Sequence, residues 1–309
     1  MEGQIPLSVP VIILAGPTAV GKSELALKLA RLLDAEIISA DSRQLYKGLD
    51  IGTAKPSREE LQSVPHHFID ILPPDRPFNA GLFQKQARDI INGLLRQGRG
   101  AVVCGGTGLY IRALLKGMIP LDIDTGAYRE ELSRELETRG TEVLFRELAT
   151  VDPESAGRIK ATDARRITRA LEIYRASGKT LSYWLKQPQT PAAFPYRYFA
   201  LTRPREELYE RINRRVRKML HMGLVEEVRA LVEQGYAGEN ALNTVGYKEV
   251  IAYLDSRISH DEMVALIQRN SRRYAKRQMT WFRKESEIIW LEAGRENLVE
   301  EIRHHCDSA

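Results

Sequence analysis

Three groups of residues in the first third of this sequence could do chemistry together. The first is GPTAVGKS at residues 16–23, which fits the spacing GxxxxGK[ST]. In that pattern a glycine-rich turn, here Gly16, Pro17, Thr18, Ala19, Val20 and Gly21, directs backbone N–H groups at a di- or triphosphate. Lys22 would neutralise the phosphate charge, and the Ser23 hydroxyl could hold Mg²⁺. The second is Asp41, in the run Asp41-Ser42-Arg43-Gln44, a carboxylate that could ligate Mg²⁺ through water or act as a general base. The third is Gly105-Gly106-Thr107-Gly108-Leu109-Tyr110, whose glycines allow close backbone approach to a ligand. His66-His67 suggests a metal, but adjacent histidines rarely share one ion and no third ligand is evident. A structural or substrate-lining role is expected for them instead.

The loop alone leaves the phosphate chemistry open. No Asn-Lys dipeptide occurs, so the guanine-reading NKxD motif is missing, and there is no DEAD-type helicase box. A small-molecule kinase with a mobile lid remains compatible.

The elements that must position these residues alternate. Residues 11–15 are a short apolar run ending at glycine, as a buried parallel strand should be, and residues 23–33 have helical spacing with Leu25, Leu29, Leu32 and Leu33 on one face. Residues 36–40 and 101–104 read as further strands and 83–95 as an amphipathic helix. Repeated strand–helix units predict an α/β fold with a parallel sheet covered on both faces. In such sheets strand C-termini face the ligand crevice, so Asp41 and the 105–110 run should point at the same place as the phosphate loop.

The middle differs. Residues 121–187 carry almost no strand signal and read as several short charged helices, one beginning at Asp152-Pro153 and one at Asp163 with Ile167, Ala170, Leu171 and Tyr174 along one side. Pro120 precedes this segment, and Pro188, Pro191 and Pro195 follow it. The expected organisation is one core domain from residues 1–120 and 193–309, interrupted by an all-α insertion at 121–192. Residues 198–201 return to strand, long basic helices follow, and 287–291 could be a last strand.

The 309 residues include 46 Lys+Arg against 41 Asp+Glu, a formal net charge of +5, with 43% hydrophobic residues. That composition fits an ordinary globular protein and excludes disordered and fibrous classes. No apolar run is long enough for a transmembrane helix, and the start, Met1-Glu2-Gly3, lacks the basic region of a signal peptide. The two cysteines, Cys104 and Cys306, are expected to be reduced thiols in a cytoplasmic setting. Charge is concentrated: residues 203–218 hold seven basic and three acidic residues, and 269–284 hold seven basic and no acidic ones. Such stripes suit either a solvated helix face or a polyanionic partner.

Taken together, the motifs resemble a known family, the tRNA dimethylallyltransferases (tRNA isopentenyltransferases). The matching stretches are GPTAVGKS (16–23), DSRQLY (41–46), GTAKP (52–56), HHF (66–68), GGTGLY (105–110), DARRITRALEIY (163–174), RVRKMLHMGLVEEV (215–228), VGYKE (245–249) and RYAKRQMTWFR (273–283). They span nearly the whole chain in the family's order, and the absence of a C-terminal zinc finger is similar to the compact bacterial form. The resemblance implies a P-loop NTPase-like core with an all-α insertion that grips tRNA. It implies transfer of a dimethylallyl group from dimethylallyl diphosphate to N6 of adenosine 37, next to the anticodon, with Mg²⁺ as cofactor. Arg215 matches a phosphate-contacting arginine of the family, which would complete the cradle of residues 16–23 with Lys22, and Thr107 matches a position near the target nucleotide; Asp41 is the candidate general base. Asp41, Ser42, Arg43 and Gln44 match one tRNA-contacting stretch; Arg165, Arg166, Ile167, Thr168 and Arg169 match a second, and Arg129 a further contact. The partners implied are the tRNA anticodon stem-loop and the prenyl donor, with no membrane, and a monomer suffices.

The chemistry of the residues agrees with that implication. An allylic diphosphate ionises readily when its leaving pyrophosphate is held by N–H groups, cations and Mg²⁺. The adenine amine is a poor nucleophile, so a carboxylate that accepts its proton is valuable. A stacked loop base must also be flipped out to react. Three alternatives stay open: a small-nucleotide isopentenyltransferase, a P-loop kinase, and a non-catalytic RNA-binding module.

Overall fold

All five residues of strand β1 (Val11–Ala15) are buried, as a continuous apolar run inside a parallel sheet requires. The structure is a computed structural model that describes residues 11–119 and 125–307. After β1 come α1 (Lys22–Leu32), β2 (Ala35–Ser39), α2 (Arg58–Ser63), β3 (His66–His67), α3 (Ala80–Arg96), β4 (Gly100–Gly105) and α4 (Gly108–Lys116). The described residues fall into two compact units, one running through Leu115 and resuming at Ala192, the other Lys116–Pro191. Pro120 lies outside the described residues.

The elements among the described residues of the second unit are all helices: α5 (Gly126–Val151), α6 (Pro153–Arg158), α7 (Ala164–Ser177) and α8 (Leu181–Leu185). Its longest element is not one of several short helices, as the charged pattern suggests, but 26 residues interrupted at Gly140, which takes φ 77°. Arg175 of α7 bridges that break, pairing with Glu131 (3.1 Å) and Glu135 (2.6 Å) before it and Glu147 (2.7 Å) after it. Asp152 and Asp163 both cap as their types predict, accepting from Ser155 N (3.0 Å) and Arg166 N (3.2 Å). Leu132, Leu144, Leu148, Ile167, Ala170 and Leu171 form this unit's own apolar core. Tyr174 is only half-buried on α7; the buried position beside Leu171 goes to Glu172.

The first unit resumes with β5 (Tyr196–Thr202), α9 (Arg205–His221), α10 (Leu224–Glu233), α11 (Tyr247–Leu254), α12 (His260–Phe282), β6 (Ile289–Glu292) and α13 (Leu298–Asp307). Among the described residues six strands form one sheet in the order β3-β2-β4-β1-β5-β6, every pairing parallel. The chain crosses from β1 to β2 and returns to lay β4 between them, while β5 pairs on the other side of β1. Loops leaving β1, β2 and β4 therefore emerge side by side at one sheet edge, where ligands bind in such folds. On α1, Leu25, Ala26, Leu27, Leu29 and Ala30 are buried, whereas Leu32 is 47% exposed and faces solvent rather than the sheet. His66-His67 forms the edge strand β3, paired with Ile37 and Ile38, a strand too short for any periodicity to reveal.

Candidate active site

The phosphate loop leaves β1 and runs into α1, with Gly21 in the left-handed region at the helix N-cap. The loop is braced from behind. Arg211 Nε donates to Ala19 O and Arg203 Nε to Val20 O, both at 2.9 Å. With two of its carbonyls held on that side, the loop keeps its shape before any ligand arrives. Thr18 N–H donates to Gln278 Oε1 at 2.9 Å, and the same amide donates through Nε2 to Gly106 O at 2.9 Å. Gln278 thus ties the loop after β1 to the loop after β4.

Those two loops sit at neighbouring strand ends, and β2 contributes the third. Ala40 N donates to Cys104 O (2.8 Å) and Thr107 N to Ala40 O (3.1 Å), so the β2 and β4 exits are stitched together. A Cβ on Gly105 would fall 2.1 Å from Ala40 O, so only glycine permits this approach. Ser42 N then donates to Thr107 Oγ1 (3.1 Å), and Arg43 N to Asp41 Oδ1 (2.9 Å), an Asx turn that fixes the carboxylate.

A cavity of about 420 Å³ opens at this edge, lined by Thr18, Lys22, Ser23, Asp41, Arg211, Arg215, Tyr274 and Gln278 among others. A smaller one, about 100 Å³, shares Thr18, Asp41, Thr53, Arg215 and Tyr274 with it. Asp41 and Arg215 therefore border both spaces. Lys22 Nζ donates to Pro17 O at 2.8 Å; burial, then the charge of Arg215, lowers its pKa to about 8, against a rise from Asp41. Burial also lowers the Arg215 pKa, again opposed by Asp41. Two partly desolvated cations beside one carboxylate make a site ready for a compact polyanion. Tyr274 is pushed up to about 12, chiefly by burial and then by Asp41, and stays a neutral phenol.

The sequence-predicted residues divide. Gly16, Pro17, Thr18, Ala19, Val20, Gly21, Lys22, Ser23, Asp41, Thr107 and Arg215 gather around this edge. Gln44 lines the cavity, but its amide is spent internally, accepting from Ser39 Oγ (2.9 Å) and donating to Thr53 O and Ala54 O. Arg43 donates to Asn240 O at 2.7 Å. In the helical unit Arg165, Arg166 and Arg169 are exposed on α7, and Thr168 Oγ1 bonds Ala164 O at 3.0 Å. Ile167 faces inward, fully buried in the core, and offers no side-chain contact. Arg129 (2.9 Å) and Arg169 (2.7 Å) both pair with buried Glu172, which Thr125 Oγ1 also meets. His67 Nε2 meets Glu36 Oε2 at 2.5 Å, and His66 Nδ1 meets Val64 O at 2.8 Å. Among the described residues no group of three or more His, Cys, Asp or Glu could hold a metal ion.

Sequence reasoning missed Gln278, Glu172, Arg203 and Arg211 as site-building residues. Gln278 lies inside the RYAKRQMTWFR stretch and the two arginines inside a basic run, but their partners are 172 to 260 residues away in sequence.

The fold and this edge define an α/β protein with a P-loop-like core, in which residues of the 16–23 loop and Asp41 line one cavity. A family profile described as IPP transferase matches residues 44–285. The tRNA dimethylallyltransferase 1 of Citrifermentans bemidjiense is 49% identical over 286 residues, covering 92% of each chain. The tRNA dimethylallyltransferase of Carboxydothermus hydrogenoformans is 44% identical over 294 residues and 94% of each chain. Among solved structures, a tRNA isopentenylpyrophosphate transferase from Bacillus halodurans superposes with a TM-score of 0.72 at 37% identity, covering 96% of this chain and 94% of that one. A eukaryotic dimethylallyltransferase described as acting on tRNA gives 0.80 at 27% identity, covering 95% of this chain and 77% of its own. The chain belongs to the IPP transferase family.

Proposed function

We propose that this protein transfers a dimethylallyl group from dimethylallyl diphosphate to N6 of adenosine 37 in tRNA, giving N6-isopentenyladenosine and releasing pyrophosphate. The observation that carries this reading is the shared cavity: Lys22, Ser23, Arg215 and Asp41 line one space. There the diphosphate lies on the N–H groups of residues 16–23, with Lys22 and Arg215 as counter-cations. The bond between the allylic carbon and the bridging oxygen breaks as charge builds on pyrophosphate, which those cations stabilise. The N6 lone pair forms the new C–N bond, and the N6 proton passes to the Asp41 carboxylate. Thr107 lies one hydrogen bond from the Asp41 turn, through Ser42 N, and that proximity supports its role in holding the target nucleotide's reacting edge.

Ser23, the second residue of α1, is exposed and lines the cavity, and its hydroxyl would be the group of this loop to hold Mg²⁺. When bound, Mg²⁺ would neutralise developing charge on the leaving group. The tRNA is held by two surfaces. Asp41, Ser42, Arg43 and Gln44 meet the target nucleotide, Gln44 by shaping the cavity wall. On the helical unit Arg129, Arg165, Arg166 and Arg169 meet the backbone, with Ile167 and Thr168 supporting that helix face. Exposed Arg269, Arg273, Lys276 and Arg277 on α12 suit phosphates of the anticodon stem. No described helix is long and apolar enough to cross a membrane, and a cytoplasmic monomer fits the reading.

The test incubates the protein with Mg²⁺, labelled dimethylallyl diphosphate, and either tRNA or AMP. Label in tRNA at adenosine 37 and none in AMP is expected. Label in AMP alone would replace this reading with a small-nucleotide transferase.

A further inference from the structure

Residues 49–55 form a loop whose two sides do different work. On one side three successive N–H groups converge on a single carboxylate. Asp50 N and Ile51 N donate to Glu227 Oε2 at 3.0 and 2.6 Å, and Gly52 N donates to Oε1 at 3.1 Å. Successive N–H groups of this kind form a concavity that binds anions. Here the chain supplies its own anion from α10. Tyr247 of α11, wholly buried, donates its hydroxyl to the same Oε1 at 2.6 Å. A Cβ on Gly52 would sit 2.4 Å from the Tyr247 ring, so packing and hydrogen bonding fix the same residue.

On the other side the loop reaches the cavity through Thr53 and Ala54. Thr53 O accepts from Arg215 Nη2 at 3.4 Å and from Gln44 Nε2 at 3.2 Å; Ala54 O accepts from Gln44 Nε2 at 3.1 Å. Lys55 anchors the loop's far end, donating to Tyr46 O at 2.6 Å and pairing with Asp50 and Asp70. Arg215 makes one contact with this loop and faces both cavities. The Thr53 carbonyl is thus the loop's one acceptor for the Arg215 guanidinium.

We propose that Glu227 is a positioning residue for the transfer reaction: by filling the backbone concavity of residues 50–52 it sets the Thr53 carbonyl, which aims Arg215 at the leaving diphosphate. This rests on the reading of Arg215 as a contact to that group. Glu227 touches neither the donor nor the acceptor.

The test is a double-mutant cycle on the full-length protein with dimethylallyl diphosphate and tRNA. Glu227→Gln keeps the shape but turns an NH₂ group toward N–H donors. It is expected to lower kcat/KM for the donor roughly tenfold while leaving the Kd for tRNA unchanged. In an Arg215→Lys background the same change should lower kcat/KM by less than about twofold, because its route is already cut. Equal losses in both backgrounds, or no loss in either, would overturn the proposal. Arg215→Lys alone with unaltered donor kinetics would instead refute the reading of Arg215, and the proposal with it. Should Glu227→Gln not fold, Tyr247→Phe, which removes one of the four donors and keeps the ring, goes through the same cycle. A loss confined to the Arg215 background is again expected, and equal losses in both backgrounds would again overturn the proposal.

Discussion

Replacing Gln278 by leucine tests whether the phosphate loop is held from α12. The side chain is 7% exposed and its amide joins Thr18 N–H to Gly106 O, both at 2.9 Å. Leucine is close in volume, so the main effect is to strand one donor and one acceptor. A buried polar group without a partner is destabilising by about 1–3 kcal/mol. Thr18 is half-buried and water can reach it, so the pair together should amount to about 2–4 kcal/mol rather than the full sum. Denaturation by urea should show that loss as a lower midpoint with an unchanged slope. Thr18 also lines the cavity, so kcat/KM for the prenyl donor should fall about tenfold or more in step. Gln278→Glu separates the halves, since it keeps an acceptor for Thr18 N–H and loses the donor to Gly106 O. A Gln278→Leu protein within about 0.5 kcal/mol of the parent, with unaltered donor kinetics, would refute the cross-tie.

Three further results are expected. Lys22 has its pKa lowered to about 8, mainly by burial, from 10.5. It is therefore charged below pH 8 and neutral above it in the free enzyme. KM for the diphosphate should rise from pH 8 to 9.5 with log KM approaching a slope of one, and a flat profile over that range would contradict the role of the ammonium. Folding stability moves the opposite way: between the folded and unfolded values the unfolded chain holds the extra proton, so Lys22 adds stability as pH rises through that window. On α7, Arg165→Glu and Arg169→Glu should weaken tRNA binding and flatten its salt dependence by about one phosphate each; unaltered binding would return both to a solvated face. Arg165 is the cleaner probe, because Arg169 also pairs with Glu172.

Legibility in the sequence follows how local the cause is. The β1 run, the GxxxxGK[ST] turn and the caps at Asp152 and Asp163 are decided by neighbours within a few residues, and each appears where its spacing puts it. The convergence of Asp41 and residues 105–107 on the phosphate loop is legible too, because parallel strand ends share an edge. Glu172 is not, since a carboxylate is accepted in a core only when partners such as Arg129, 43 residues earlier in the chain, arrive to satisfy it. The basic run at 203–218 suits a polyanion by its charge, yet part of it turns inward, Arg203 and Arg211 serving loop carbonyls, while Arg214 stays exposed and pairs with Glu210 at 2.9 Å. The histidine pair takes the structural and cavity-lining place expected of it, His66 lining the cavity, but the edge strand it forms is two residues long and leaves no pattern to read.

In the proposed reaction proton transfer falls to Asp41, and Asp41→Asn isolates that step by keeping shape and removing the base. Single-turnover transfer of labelled prenyl group to tRNA should slow by roughly 10²–10⁴-fold, the range of a lost general base, while tRNA and donor still bind. Transfer at a near-normal rate with intact binding would contradict the assignment and leave the cavity without its proton acceptor.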